Sequence, residues 1–232
     1  MRDLTIPDSG AKRKLLDAAE RLFAEKGFDC VAVRDVSQAV GMNVASVNYY
    51  FGSRANLLAT VILHYALPLQ KDRLAHLEKA VRKAGGGRIQ IEEILAAYIK
   101  PLRANFALKE NSETSFYQLV GRIFTDHGNS LFPQEKQIFS EVNERFIQAL
   151  SKLLPEVSIV NLEERFHFIQ GAMIHLLTHH SLLVKNGKPH PTMEESLERL
   201  ISFAVLGLCG GEVSESFAEE PEEDSPQAVF NF

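Results

Sequence analysis

Four histidines lie close together in one stretch: His167, His175, His179 and His180. His175 and His179 are four residues apart, so two imidazoles on one helix face could chelate one ion. A helical metal-dependent enzyme is therefore one reading of this cluster. It lacks support from its neighbours. No nearby Cys or acidic side chain completes a ligand set in sequence. No Ser/His/Asp string, phosphate-cradling glycine loop or HExxH helix occurs anywhere in the chain. Satisfied or interfacial histidines are the favoured reading, and neither a metal nor a cofactor is expected. Cys30 and Cys209 form no disulfide framework and no zinc quartet, which suits a reducing, cytoplasmic compartment.

A second constellation points to a different chemistry. Residues 33–54 read VRDVSQAVGMNVASVNYYFGSR. They describe a short helix near Arg34–Val40, a tight Gly41-Met42-Asn43 turn, and a second short helix near Val44–Phe51. Helices of about seven residues cannot stand alone. Val33, Val36, Val40 and Val47 can pack them against an earlier helix through Leu22 and Phe23. That leaves Ala45, Ser46, Asn48 and Tyr49 on an outward face. A B-DNA major groove, about 12 Å wide, admits one such helix. Small residues at its start permit close approach, and its N-terminus directs positive dipole toward phosphate. Arg34 and Arg54 lie at either side of the motif.

The elements that must position these residues are helical throughout. Apolar residues recur at three- and four-residue spacing, with no sustained strand alternation and no internal repeat. The first helix begins near Ala11, carries Leu15, Ala19, Leu22 and Phe23 on one stripe, and stops at Gly27. Ser53 can cap a fourth helix that Pro68 should kink. Gly85-Gly86-Gly87 is the clearest break. Further helices are expected at about 89–109, with a bend at Pro101, and at 113–127, 133–154, 161–185 and 192–209. Asn161-x-x-Glu164 and Thr192-x-x-Glu195 read as capping boxes. The expected fold is all-α with about nine helices. It divides into a flexible N-terminus at 1–10, a helix-turn-helix unit at 11–56, a connecting helix at 57–84, a larger helical domain at 85–209 and a tail at 210–232.

Charge distribution supports this division. The chain has 232 residues, 45% hydrophobic and 24% charged, with a formal net charge of −5. Seven acidic residues and no Lys or Arg fall in 210–232. Without those seven charges, residues 1–209 carry +2. The tail reads as disordered and solvated, so the acidic balance does not exclude a nucleic-acid partner for the rest. No run of about 18 apolar residues exists, so no membrane span is expected.

The ordered strings LLDAAERLFAEKGF, VRDVSQAVGM and ASVNYYFGSRANLL resemble the N-terminal DNA-binding domain of the tetracycline-repressor (TetR/AcrR) family. About fifty residues carry the resemblance. YIKPL, QLVGRIF and RFHFIQGAM also resemble ligand domains of one branch, less specifically. The resemblance implies that Arg34 reaches a base edge or phosphate. It implies that Val44, Ala45, Ser46 and Asn48 face the groove, that Tyr49 and Tyr50 meet phosphate, and that Arg54 holds the DNA backbone. Ala32 stands where the family often has a capping Thr or Ser, Ser37 replaces a usual Ala, and Asn48 replaces a commoner Tyr.

The larger part is expected to hold an effector cavity. Phe106, Phe116, Phe124, Phe139, Phe168 and His175 are its candidate lining. The 161–185 segment is apolar on two faces, one with Phe166, Met173 and Leu176, the other with Phe168, His175 and His179. With Leu197, Ile201 and Leu208 of the last helix, the first of these faces is the expected homodimer interface, with Gly171 permitting close approach. The combined expectation is a homodimeric, cytoplasmic transcriptional regulator, a repressor released from a palindromic double-stranded operator by a small-molecule effector. A protein-interaction adaptor is the other alternative to the metal-dependent enzyme.

Overall fold

A computed structural model of the chain describes residues 10–104, 121, 133–179 and 191–210. These contain nine helical segments and no strand. They are α1 (Gly10–Lys26), α2 (Val33–Ala39), α3 (Val44–Phe51), α4 (Arg54–Ala84), α5 (Ile91–Ile99), α6 (Pro101–Ala104), α7 (Pro133–Ser151), α8 (Ile159–His179) and α9 (Met193–Cys209). Of the helix expected at 113–127, Gly121 alone is described, and it is helical; the flexible N-terminus expected at 1–10 and the tail expected at 210–232 lie outside the described residues except for Gly10, which opens α1, and Gly210.

Local chemistry explains most boundaries. Gly27 ends α1 at φ 87°, a left-handed conformation that glycine adopts without a Cβ penalty, and its N–H returns to the Phe23 carbonyl. Ser53 caps α4 by accepting from the Asn56 N–H at 3.1 Å. Thr192 and Glu195 cap α9 reciprocally, at 3.2 Å and 2.7 Å. The box expected at Asn161 is displaced. Ser158 is the capping residue, its Oγ accepting from the Asn161 N–H at 3.2 Å, and α8 starts at Ile159. Asn161 is thus already inside the helix that Ser158 opens. Pro101 does more than bend the segment expected at 89–109: it separates α5 from α6. Lacking an N–H, it cannot continue the α5 hydrogen-bond ladder.

One contiguous apolar core runs from Leu15 to Leu208. In the N-terminal unit, Leu15, Leu16, Leu22, Phe23, Val36 and Val47 close around α4 residues Leu57, Leu58 and Val61. Burying each large side chain contributes about 1.5–3 kcal/mol, which is what holds α2 and α3 in place at their length. Helix α4 is 31 residues long and runs through an exposed Pro68 to its left-handed C-cap at Gly85 (φ 55°). The division expected at 56/57 falls inside it. Its first turns serve the N-terminal core. Its later turns pack against α5 and α7.

Candidate nucleic-acid interface

Helix α3 owes its position to both of its ends. Asn43 precedes it in extended conformation, and its side-chain oxygen accepts from the Ala45 N–H at 3.0 Å. Gly41 makes the preceding turn at φ 66°. Gly52 follows at φ 78° and donates to the Asn48 carbonyl at 2.8 Å. Val47 and Phe51 face inward and are buried. The remaining face is open. Ala45 and Asn48 are exposed, Val44 is 38% exposed, and Ser46 is partly covered. Tyr49 is 83% exposed, the one large aromatic on this face. Tyr50 is half-buried against the core and meets the Tyr49 ring edge-on at 5.0 Å.

The flanking residues divide. Arg34 is exposed at the start of α2. Its neighbour Asp35 turns back to accept from the Ala32 N–H at 2.7 Å. That bond satisfies the Ala32 N–H, one half of a capping box; the Asp35 N–H, which a hydroxyl at position 32 would have taken, donates to the Ala32 carbonyl at 3.0 Å. Ser37 is buried and satisfied by the Arg34 carbonyl at 2.9 Å. Arg54 departs from expectation. Its Nε donates to the Val31 carbonyl at 2.7 Å, and its terminal nitrogen donates to the Phe28 carbonyl. It is partly buried and braces the α1–α2 loop against the start of α4. The loop carbonyls lie within its reach, so the guanidinium is drawn to the protein's own backbone instead of pointing outward. Asn43 was not among the expected site residues, although an Asn directly before a helix start is a recognisable cap signal.

The larger half requires several corrections. Phe166, Met173, Leu197, Ile201 and Leu208, expected at a dimer interface, are all buried within this one chain. Leu176 is half-buried against the same core. The opposite faces are the open ones: Phe168 is 62%, Phe203 65% and Leu206 73% exposed. The segment is apolar on two faces, and packing against α4, α5 and α7 claims the Phe166 face. Phe168 and His175, expected in a cavity, therefore point away from the interior; His175 is exposed. A Cβ placed on Gly171 or Gly207 would meet nothing within 4 Å, so neither glycine serves close packing inside the chain. Arg165 ties the two helices together, donating to the Leu208 and Gly210 carbonyls at 2.8 Å and 2.7 Å at the end of α9. Phe139 is half-buried on α7. Phe106, Phe116 and Phe124 lie outside the described residues.

His175 and His179 stack with ring centroids 4.6 Å apart. His167 is exposed, and His180 lies outside the described residues. Among the described residues, no group of three metal-ligating side chains converges.

Comparison with known proteins fits this geometry. Residues 15–61 match the model of bacterial regulatory proteins of the tetR family, and residues 96–207 match a tetracyclin repressor-like C-terminal domain. The HTH-type transcriptional repressor BdcR of Escherichia coli K12 is 39% identical over 67 residues, covering 27% of this chain and 34% of that protein. The HTH-type transcriptional repressor KstR2 of Rhodococcus jostii RHA1 is 35% identical over 60 residues, covering 26% and 29%. The chain thus spans about a third of the length of these curated relatives. Among solved structures, the ketosteroid transcriptional regulator KstR2 of Mycobacterium tuberculosis superposes with a TM-score of 0.56 at 15% identity, covering 87% of this chain and 96% of that one. The TetR family transcriptional regulator PfmR of Thermus thermophilus does so at 0.50 and 18%, covering 84% and 97%. At such identities these two likenesses concern the fold alone.

Fold and family matches together define a two-part helical protein built on a helix-turn-helix. The chain belongs to the tetracycline-repressor family. Among the described residues, no helix is long and apolar enough to cross a membrane.

Proposed function

We propose that this chain is a ligand-responsive, sequence-specific DNA-binding repressor of transcription that acts as a homodimer in the cytoplasm. The observation that carries the reading is the outer face of α3, small and polar except for the 83% exposed Tyr49, held rigidly by its caps and core. Val44, Ala45, Ser46 and Asn48 read the major groove. Arg34 reaches a base edge or phosphate at the groove margin, and Tyr49 and Tyr50 place hydroxyls toward phosphate.

Two copies are needed to cover a palindromic site. The apolar surface formed by Phe168, Phe203 and Leu206 is the proposed seam, with Gly171 and Gly207 allowing the partner's helices to come close. A two-fold axis makes such a contact self-complementary. Two recognition helices then enter successive major grooves about 34 Å apart or a multiple of that. Helix α4 connects the two halves as one rigid element. An effector that fits one arrangement of the larger half better changes the population of DNA-competent spacing through α4.

The test is binding-site selection from genomic DNA, followed by affinity measurement across a range of salt. A palindromic consensus whose affinity falls steeply with salt is expected. Purified dimer that ignores every duplex at low ionic strength would remove this reading.

A further inference from the structure

Helix α4 carries a charge where its inward stripe should be apolar. Leu69, Arg73 and Leu77 follow at four-residue spacing, and Arg73 is only 1% exposed. Its Nε donates to the Tyr98 carbonyl at 2.8 Å. One terminal nitrogen donates to Gln70 Oε1 at 3.3 Å, and the other stands 3.8 Å from Met173 Sδ. The guanidinium lies 3.7 Å from the centre of the Tyr98 ring.

The Tyr98 carbonyl bond has a structural reason. Tyr98 lies in the last turn of α5, whose final carbonyls lack intrahelical donors. The remaining guanidinium N–H groups have no comparable account. A sulfur is a weak acceptor, and an amide and a ring face soften a positive charge without neutralising it. Among the described residues, no carboxylate pairs with Arg73. Buried charges are ordinarily paired, since desolvating an ion costs several kcal/mol. Burial accordingly pushes the guanidinium pKa below its ordinary value, with the neighbouring Tyr98 acting in the opposite direction. Gln70 adds a second open donor. Its Oε1 is engaged by Arg73, but its buried Nε2 has no partner among the described residues.

One turn further along the same face of α4, Leu77 helps line a groove of about 320 Å³ between α4 and α7. Its rim bears Arg82, Arg145 and Lys152 against the single acid Glu78, which is itself 3.5 Å from Arg82. Such a rim concentrates anions near the helix that carries Arg73.

We propose that Arg73 and Gln70 form the headgroup subsite for an apolar carboxylate, and that an acid of this kind is the effector. The carboxylate accepts from the free Arg73 N–H groups and from Gln70 Nε2, a charge-assisted arrangement that a neutral ligand cannot reproduce. Its apolar body lies against Tyr98, Phe166 and Met173. Tyr98 is already held there by edge-on contacts to Phe146 and Phe166 at 4.9 Å and 4.8 Å. Its hydroxyl donates to Asn143 Oδ1 at 2.9 Å and accepts from Gln170 Nε2 at 2.6 Å. Accommodating the acid parts α4 from α8, and α4 carries that movement to Leu57 and Leu58 beneath the recognition helix. The effector role rests on the regulator reading; the subsite does not.

The test uses 2-naphthoate and its uncharged counterpart 2-naphthalenemethanol, titrated calorimetrically into the full chain without DNA. The acid is expected to bind at least about tenfold more tightly than the alcohol. Arg73→Met abolishes that preference, and Arg73→Lys keeps part of it. If Arg73→Met does not fold, Gln70→Leu serves: it weakens the acid several-fold and leaves the alcohol unchanged. Equal binding of acid and alcohol, binding of neither, or a preference that survives both Arg73→Met and Gln70→Leu overturns the subsite. Operator affinity measured with and without 2-naphthoate separates the two readings. An acid that binds through Arg73 while the protein ignores all duplexes leaves the subsite standing without its regulator. A protein that holds its operator but shows no acid preference loses the subsite alone.

Discussion

The N-terminal unit and the larger half solve different problems with the same secondary structure. In the first, the proposed DNA-reading surface is one short helix, and Arg34 through Tyr50 lie within a few turns of one another in sequence. In the second, the chemistry is assembled across distance. Arg73 meets Tyr98, 25 residues away, and Met173, 100 residues away. The first surface faces solvent and is small and polar apart from Tyr49. The second centre is buried and carries a charge among aromatic rings. The contrast teaches that a contiguous binding surface can be recognised residue by residue, whereas a buried centre comes into being only when helices pack.

Five substitutions break or sharpen this comparison, the largest effect first. Phe166→Ala removes a ring that is 1% exposed and should cost about 3–5 kcal/mol of stability in a denaturant titration. An unchanged midpoint with lost dimerisation would return Phe166 to the interface. Leu206→Asp, at 73% exposure, should leave the monomer's secondary structure intact while weakening dimers by at least about 2 kcal/mol, read by analytical ultracentrifugation. Dimers as tight as before would move the seam elsewhere.

Arg54→Ala deletes two bonds to loop carbonyls and should lower stability by about 1.5–3 kcal/mol. Equal stability with reduced DNA affinity would reverse its assignment as a brace. Arg34→Ala should weaken operator binding by about 1–3 kcal/mol and relax preference at one base pair, as scored on a set of single-base operator variants. A footprint identical in extent and strength would deny it that contact. Tyr49→Phe should cost about 0.5–1.5 kcal/mol of DNA affinity without altering the preferred sequence, because a phosphate contact positions and does not specify. A shifted consensus would make Tyr49 a base reader.

Legibility followed the range of the interactions. Gly27, Ser53 and Thr192 act at the ends where their types place them, since capping involves a residue and its next few neighbours. Ser158 displaced Asn161 because two acceptable caps stood three residues apart, and only the packed start of α8 chooses between them. The two apolar faces of α8 were both visible in its periodicity. Which one the chain would claim for its own core was not, because periodicity reports that a face is apolar and not what covers it. Arg73 left a signal that could have been read: a cation on the Leu69–Leu77 stripe of an amphipathic helix. Arg54 left none, since the Val31 and Phe28 carbonyls that hold it belong to a loop.

By itself, the amino-acid order determined that this protein is helical, where most helices begin and end, and which short helix presents a groove-sized polar face. These follow from side-chain period, capping and backbone preference, all of which act within a few residues. Tertiary structure alone decided which apolar faces became interior, that Arg54 turned inward, and that Arg73 was buried among rings and amides with no carboxylate beside it among the described residues. Those outcomes depend on contacts between helices far apart in sequence, whose free energy no local pattern contains.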